Sequence, residues 1–328
     1  MASFELICPA GTLAALRVAV DAGADAVYVG FRDETNARNF PGLNFSRAEL
    51  KQGVEYAHRQ GRQLFVAINT YPAAGNPGPW HRAVDDAAVN GADAVIMADL
   101  GLLDYAARRH PGLRLHLSVQ ASAANPEAIG LYRQAFGVRR VVLPRVLTIA
   151  DIARLTREVD VETEVFVFGG MCPMAEGRCS LSSYATGRSP NRNGVCSPAS
   201  HVRYETRGTQ LVSRLGNFTI NTFAEDEPAG YPTLCKGRFH AYGATSYLFE
   251  EPSSLNAMHL LPDLKAAGVK ALKIEGRQRG KAYIAEVVAT CRRGLDLFDR
   301  NLPFDPAALD RVAEGGRDTT GAYGKAWR

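Results

Sequence analysis

The 328-residue chain carries 38 Lys and Arg against 34 Asp and Glu, a formal net charge of +4. Its 46% hydrophobic and 22% charged residues exclude a disordered or fibrous chain, and its length allows one large domain with an insertion or two modest ones. The mildly basic balance suits an anionic ligand or an acidic partner but is too small to argue for nucleic acid by itself.

No basic n-region precedes the first apolar residues and no apolar run reaches spanning length. Neither a signal peptide nor a transmembrane segment is therefore expected, and the chain reads as cytoplasmic. Thiols stay reduced in that compartment, so clustered cysteines read there as metal ligands or catalytic groups rather than disulfides.

Short apolar runs alternate with helical spacing along the chain. FELICPAG (4–11) reads as a buried strand and 12–22 as a helix; ADAVYVGF (24–31) is the next strand. Strands follow at 63–70, 92–99, 114–121, 139–146, 163–170 and 269–276, with a closing helix over 281–298. Gly23, Gly61, Gly91, Gly137 and Gly268 stand where a left-handed helix cap precedes a strand. Gly-Ala-Asp-Ala-Val occurs twice, at 23–27 and 91–95, a faint internal repeat. Runs apolar throughout indicate parallel strands covered on both faces. Eight such units predict an α/β fold, a (β/α)8 TIM-like barrel, over the rival open doubly wound sheet, because no phosphate-binding glycine fingerprint follows the first strand.

The units divide the chain into seven βα units over 1–169, an insertion over 170–255, a last helix, strand and helix over 256–297, and a tail over 298–328. Within the insertion, HVRYET and TQLVSRL predict a β-hairpin. SLNAMHLLPDLKAAG (254–268) predicts the helix leading into the last strand, and a short helix is expected near PAALDRVAEG in a tail that wraps the barrel or a partner. An insertion this long at the C-terminal face of a barrel is functional in kind.

Four of the six cysteines lie on that insertion as Cys172-x6-Cys179-x16-Cys196-x38-Cys235. The surrounding Gly, Ser, Asn and Arg bury too little to offset backbone entropy, so a crosslink or metal is expected to order the segment. Four thiolates suit tetrahedral zinc or an iron–sulfur cluster. The absence of a Cys-x2-Cys knuckle favours the cluster over zinc, and unrelated reduced thiols are the third reading. Amides near Gly169, Gly170, Gly177 and Gly194 would donate to cluster sulfurs; Arg178, Arg188, Arg192, Lys236 and Arg238 would offset its charge. Cys8 and Cys291 read as small buried hydrophobes.

The run EVFVFGGMCPMAEGRCSLSSYATGRSPNRNGVCSPA resembles the signature of the collagenase-like peptidase family, Glu-x-Phe-x-x-Gly…Cys-x6-Cys-x-Leu-Ser. ELICPAG, GADAVYVGF, DETNARNFPGLNF, SVQASAANPEA, AGYPTLCKGR and KIEGRQR are similar to one short branch of that family, subunits of an oxygen-independent ubiquinone-biosynthesis hydroxylase. The resemblance implies a [4Fe–4S] cluster on Cys172, Cys179, Cys196 and Cys235 and a heterodimer with a UbiV-like subunit. It also implies hydroxylation of a polyprenylated phenol without O₂, with a lipid-carrier protein assisting and no nucleic-acid partner. Two alternatives stand beside it: hydroxylation of an RNA base, as in longer relatives, and a metal-stapled scaffold that only binds a partner. Peptidase chemistry is not expected, since there is no His-Glu-x-x-His helix, no Gly-x-Ser-x-Gly elbow, and the seven histidines are scattered.

No catalytic residue can be assigned from the sequence. Polar residues at strand ends are the candidates for the barrel mouth: Asn36, Arg38, Asn39, Asn69, Gln120, Arg145, Lys273, Glu275 and Arg277. Relatives acting on RNA take oxygen from prephenate, a dicarboxylate. The bidentate fork of Arg38 or Arg145 suits such an anion, while a Glu275–arginine pair closing the rim is the structural reading.

Overall fold

The computed structural model describes residues 3–193 and 195–324. Strands and helices alternate from the start: β1 Glu5–Pro9, α1 Leu13–Asp21, β2 Ala26–Gly30, α2 Arg47–Arg59, β3 Gln63–Ile68, α3 Gly78–Val89 and β4 Ala94–Met97. They continue with α4 Leu100–Arg109, β5 Arg114–Leu117, α5 Pro126–Phe136, β6 Arg140–Val142, α6 Ile149–Glu158 and β7 Glu162–Gly170. The insertion follows, with α7 Leu181–Thr186, α8 Pro190–Asn193, a meander of β8 Val202–Arg207, β9 Gln210–Leu215 and β10 Phe218–Phe223, and a hairpin of β11 Arg238–Ala241 and β12 Ala244–Tyr247. Then come β13 Ser254–Asn256, α9 Leu261–Ala266, β14 Ala271–Ile274, α10 Lys281–Asp299 and β15 Asp318–Thr319.

Strands β1 to β7 pair in parallel, and β14 closes the ring by pairing in parallel with both β1 and β7. This is the expected eight-stranded barrel. The five cap glycines all have positive φ, from 65° to 105°. Alternate strand residues point inward, so Ile7, Tyr28, Phe65, Ala67, Ile96 and Ala271 fill the lumen while a larger apolar layer lies between strands and helices. The lumen is a packed core and not a pore.

Its lower half is ionic. Arg140, 2% exposed, donates to Glu5, Glu162 and Glu164, at 2.6 Å for the first two. The Lys273 ammonium donates to Glu164 at 2.6 Å and lies 3.8 Å from the centre of the Tyr28 ring.

Helix α2 shows how local sequence starts an element. Ser46 Oγ accepts from the Glu49 amide at 3.2 Å, and Glu49 Oε2 accepts from the Ser46 amide at 2.8 Å. Ser46→Ala is expected to cost about 1 kcal/mol, read as a lower denaturant midpoint with an unchanged slope.

Three expectations are corrected outside the barrel. The helix expected over 254–268 is shorter, because Ser254–Asn256 forms β13, antiparallel to the end of β7. Strand β7 outruns the barrel, leaving Phe168–Gly170 with backbone groups that β13 satisfies. The expected hairpin exists as β8 and β9, but β10 extends it and β11–β12 was not foreseen. The tail segment Pro306–Val312 is a 3₁₀ turn. The tail wraps the barrel: β15 pairs with β13, and the Tyr323 hydroxyl donates to the Phe166 carbonyl at 2.9 Å.

Candidate functional site

The cysteines depend on the turn that ends β7. Gly169 has φ 120°, and a Cβ there would lie 2.3 Å from the Glu275 carbonyl oxygen, so only glycine lets β7 and the β14 exit approach this closely. The chain then rises through Cys172 and turns back at Gly177, where a Cβ would lie 1.9 Å from the Gln120 carbonyl oxygen. Asn191 Nδ2 donates to the Cys179 carbonyl at 2.7 Å, and Ser197 Oγ to the Pro232 carbonyl at 2.6 Å. These bonds gather segments far apart in sequence. As a result Cys172, Cys179, Cys196 and Cys235 all line one cavity, with Leu181 and Leu234 among its apolar walls.

Burial pushes the thiols of Cys172 and Cys196 up, and that of Cys235 up to about 12. Such thiols become ligands only when a cation displaces their protons. Among the described residues, no three His, Cys, Asp or Glu side chains converge closely enough to hold one metal ion. Four thiols lining one cavity are the donor set that either tetrahedral zinc or an iron–sulfur cluster takes. Cys8 and Cys291 are fully buried in the core, as expected.

The barrel mouth adjoins the thiol cavity, and Arg38, Gln120, Arg145 and Glu176 line both. Arg145 Nε donates to Glu176 Oε1 at 2.7 Å, its Nη1 donates to the Gly170 carbonyl, and its guanidinium lies 4.2 Å from the centre of the Phe166 ring. Arg38 lies 3.9 Å from Glu275, the rim pair foreseen as the structural reading. Arg277, 5% exposed, donates to Asn36 Oδ1 at 2.6 Å, and burial pulls its pKa down to about 10. Asn69 Oδ1 accepts from the Ala37 amide at 3.0 Å, which holds the loop carrying Arg38. Four cations (Arg38, Arg145, Lys273 and Arg277) line the mouth against the carboxylates of Glu176 and Glu275.

Of the candidate residues, Cys172, Cys179, Cys196, Cys235, Arg38, Asn69, Gln120, Arg145, Lys273, Glu275 and Arg277 line one or both of two adjoining cavities, whereas Asn36 and Asn39 lie outside both. Glu176 was missed; its only signal is a carboxylate inside the Cys-x6-Cys gap of an otherwise basic segment.

The charges expected to surround the thiols are partly different. Lys236 acts on Cys235 as expected while pairing with Glu314 of the tail at 2.6 Å, and Arg238 pairs with Glu227 inside the insertion. Arg38 and Arg145, on barrel loops, are the cations that act on Cys196. The Gly170 amide is committed to Glu275 Oε2 at 3.3 Å. Gly194 and the side chain of Arg192 lie outside the described residues.

A groove of about 670 Å³ leads in from the surface. Cys172, Cys196, Cys235 and Glu275 lie at its floor, with Tyr204 and Tyr231 on its wall. The two tyrosines are 46% and 45% exposed, and their hydroxyls are tied to the carbonyls of Gly230 and Ser197, which leaves ring faces on offer.

The sequence profile of Peptidase family U32 matches residues 11–315. The chain belongs to Peptidase family U32. A U32 relative from Haemophilus influenzae, tRNA hydroxylation protein P, is 33% identical over 94% of this chain and 71% of its own length. The tRNA hydroxylation protein P1 of Bacillus subtilis is 31% identical over 97% of this chain and 70% of its own. The 23S rRNA 5-hydroxycytidine synthase of Escherichia coli is 30% identical over 89% of this chain but only 39% of its own. Among the described residues, no helix is long and apolar enough to cross a membrane.

Proposed function

We propose that this chain is the iron–sulfur subunit of an oxygen-independent hydroxylase. It holds a [4Fe–4S] cluster on Cys172, Cys179, Cys196 and Cys235 and acts in the cytoplasm on a polyprenylated phenol of ubiquinone synthesis. In this reading it corresponds to UbiU, paired with a UbiV-like subunit and served by a lipid-carrier protein. The observation that carries the reading is the sharing of Arg38, Gln120, Arg145 and Glu176 between the four-thiol cavity and the barrel mouth. The motifs spread along the chain support the phenolic substrate.

When bound, such a cluster supplies one-electron transfer. The chain's own residues do the rest. Tyr204 and Tyr231 offer ring faces along the approach to an aromatic ring. The excess of cations at the mouth suits an anionic co-substrate such as prephenate, with Arg38 and Arg145 at the junction of the two cavities. Asn69, Gln120 and Glu275 shape that mouth.

A second reading has a specific observation in its favour. Several relatives are named for hydroxylation of tRNA and rRNA, which supports an RNA base as substrate more directly than a phenol.

One experiment tests both. The chain is co-expressed with a UbiV-like partner without oxygen, and iron, sulfide, quinone precursors and modified nucleosides are assayed. About four iron and four sulfide per chain are expected, with hydroxylated quinone precursor formed. Each single Cys→Ala change should lower turnover ~100-fold or more. Colourless protein holding one zinc would sink the cluster. Altered nucleosides with unchanged quinone would establish the RNA reading instead.

A further inference from the structure

Among the described residues, two buried acceptors at the junction of the cavities have no donor. Glu176 is 6% exposed, and its Oε1 takes the Arg145 bond while its Oε2 has none. Gln120 is 7% exposed, and its Oε1 is likewise unpaired. Both residues line both cavities.

Both residues are anchored, Gln120 through its backbone and Glu176 through its side chain. The backbone under Gln120 is held, its main-chain N–H donating to Ser118 Oγ at 3.2 Å and its main-chain carbonyl accepting from the Tyr71 hydroxyl at 2.7 Å. Glu176 is held by Arg145, which is itself anchored to the Gly170 carbonyl and stacked on Phe166. Buried polar atoms in folded chains are almost always paired. Two unpaired acceptors on residues that line both cavities describe the complement of a group that donates.

We propose that the single ring-hydroxyl proton of a phenolic substrate is shared between Glu176 Oε2 and Gln120 Oε1 as a three-centre hydrogen bond, which sets which ring edge faces the thiol cavity. They are specificity-determining residues, since a ring lacking the donor leaves both acceptors desolvated and unpaired, the situation in which sites discriminate most strongly. The choice of a phenol rests on the function proposed above; the demand for a donor rests on the two atoms alone.

The test uses the full chain, purified without oxygen with its partner, and ligand-observed NMR titration with phenol against its methyl ether anisole, which has the same ring without the donor. Uracil against 3-methyluracil forms a second pair. Phenol should bind about tenfold tighter than anisole. The double variant Gln120→Met, Glu176→Gln should bring the ratio close to one, with anisole binding still detectable and an unchanged melting temperature showing that the chain is folded. Equal affinities in the parent chain, or a ratio that survives the double variant, would overturn the proposal. A preference confined to uracil over 3-methyluracil would also overturn it and assign the acceptors to a base. A persistent phenol preference in protein that hydroxylates nothing would keep this inference and remove the proposed reaction; hydroxylation without the preference would do the reverse.

Discussion

Gly177→Val should empty the thiol cavity of its function while leaving the barrel standing. Gly177 has φ 82°, a region that β-branched residues rarely enter. A Cβ there would also meet the Gln120 carbonyl oxygen at 1.9 Å and its carbonyl carbon at 2.7 Å. Backbone atoms cannot rotate aside as a flexible side chain would, so the loop between Cys172 and Cys179 must lift away from the Gln120 loop. Two of the four thiols flank this turn. A displacement of about 1 Å costs on the order of 100-fold in rate where geometry sets it. Iron and sulfide content and turnover should fall together, while far-UV circular dichroism and the melting temperature stay near the parent values. A Gly177→Val protein with full iron content would show that the contact between the two loops is dispensable.

The largest loss of stability is expected in the lumen. Glu164 is fully buried and answers both Lys273 and Arg140. Glu164→Ala removes the carboxylate and strands the Lys273 ammonium, since Arg140 keeps Glu5 and Glu162. Breaking one side of a buried pair costs about 3–5 kcal/mol, to be read by equilibrium urea unfolding.

The sign of the pH dependence follows. Burial already lowers the Lys273 pKa, and Glu164 opposes that shift. Without Glu164 the folded-state pKa falls further below the unfolded value of about 10.4. The unfolded chain then binds more protons in that interval, so the variant regains stability as pH rises through it. A cost under about 1 kcal/mol, or a flat profile up to pH 10, would mean that the network is not holding the lumen.

The barrel was legible because each strand is a short run that is apolar on both faces and punctuated by a capping glycine. The insertion was less so. Strands β8 to β12 are short and half-exposed, with a bulge in β10 between Thr219 and Asn221, so neither alternation nor an apolar run marks them clearly. The stretch 254–268 carries Leu255, Met258, Leu261 and Leu264 at helical spacing, yet its first residues serve the unpaired end of β7, a demand that local sequence does not display. The four cysteines and the strand-end polar residues stood out by type and spacing. Glu176 did not, because its meaning depends on Arg145, which reaches it from another loop.

The closure of β14 on both β1 and β7 has one more implication. The ring of strands closes on itself through β14, while Asn191 and Ser197 tie the insertion to itself and Gly177 seats it against the Gln120 loop of the barrel. With the proposed cluster, maturation is sequential, a pre-cast mould first and its inorganic filling later. Oxidative damage to the filling should leave a reusable vessel ready for reloading rather than a chain bound for degradation.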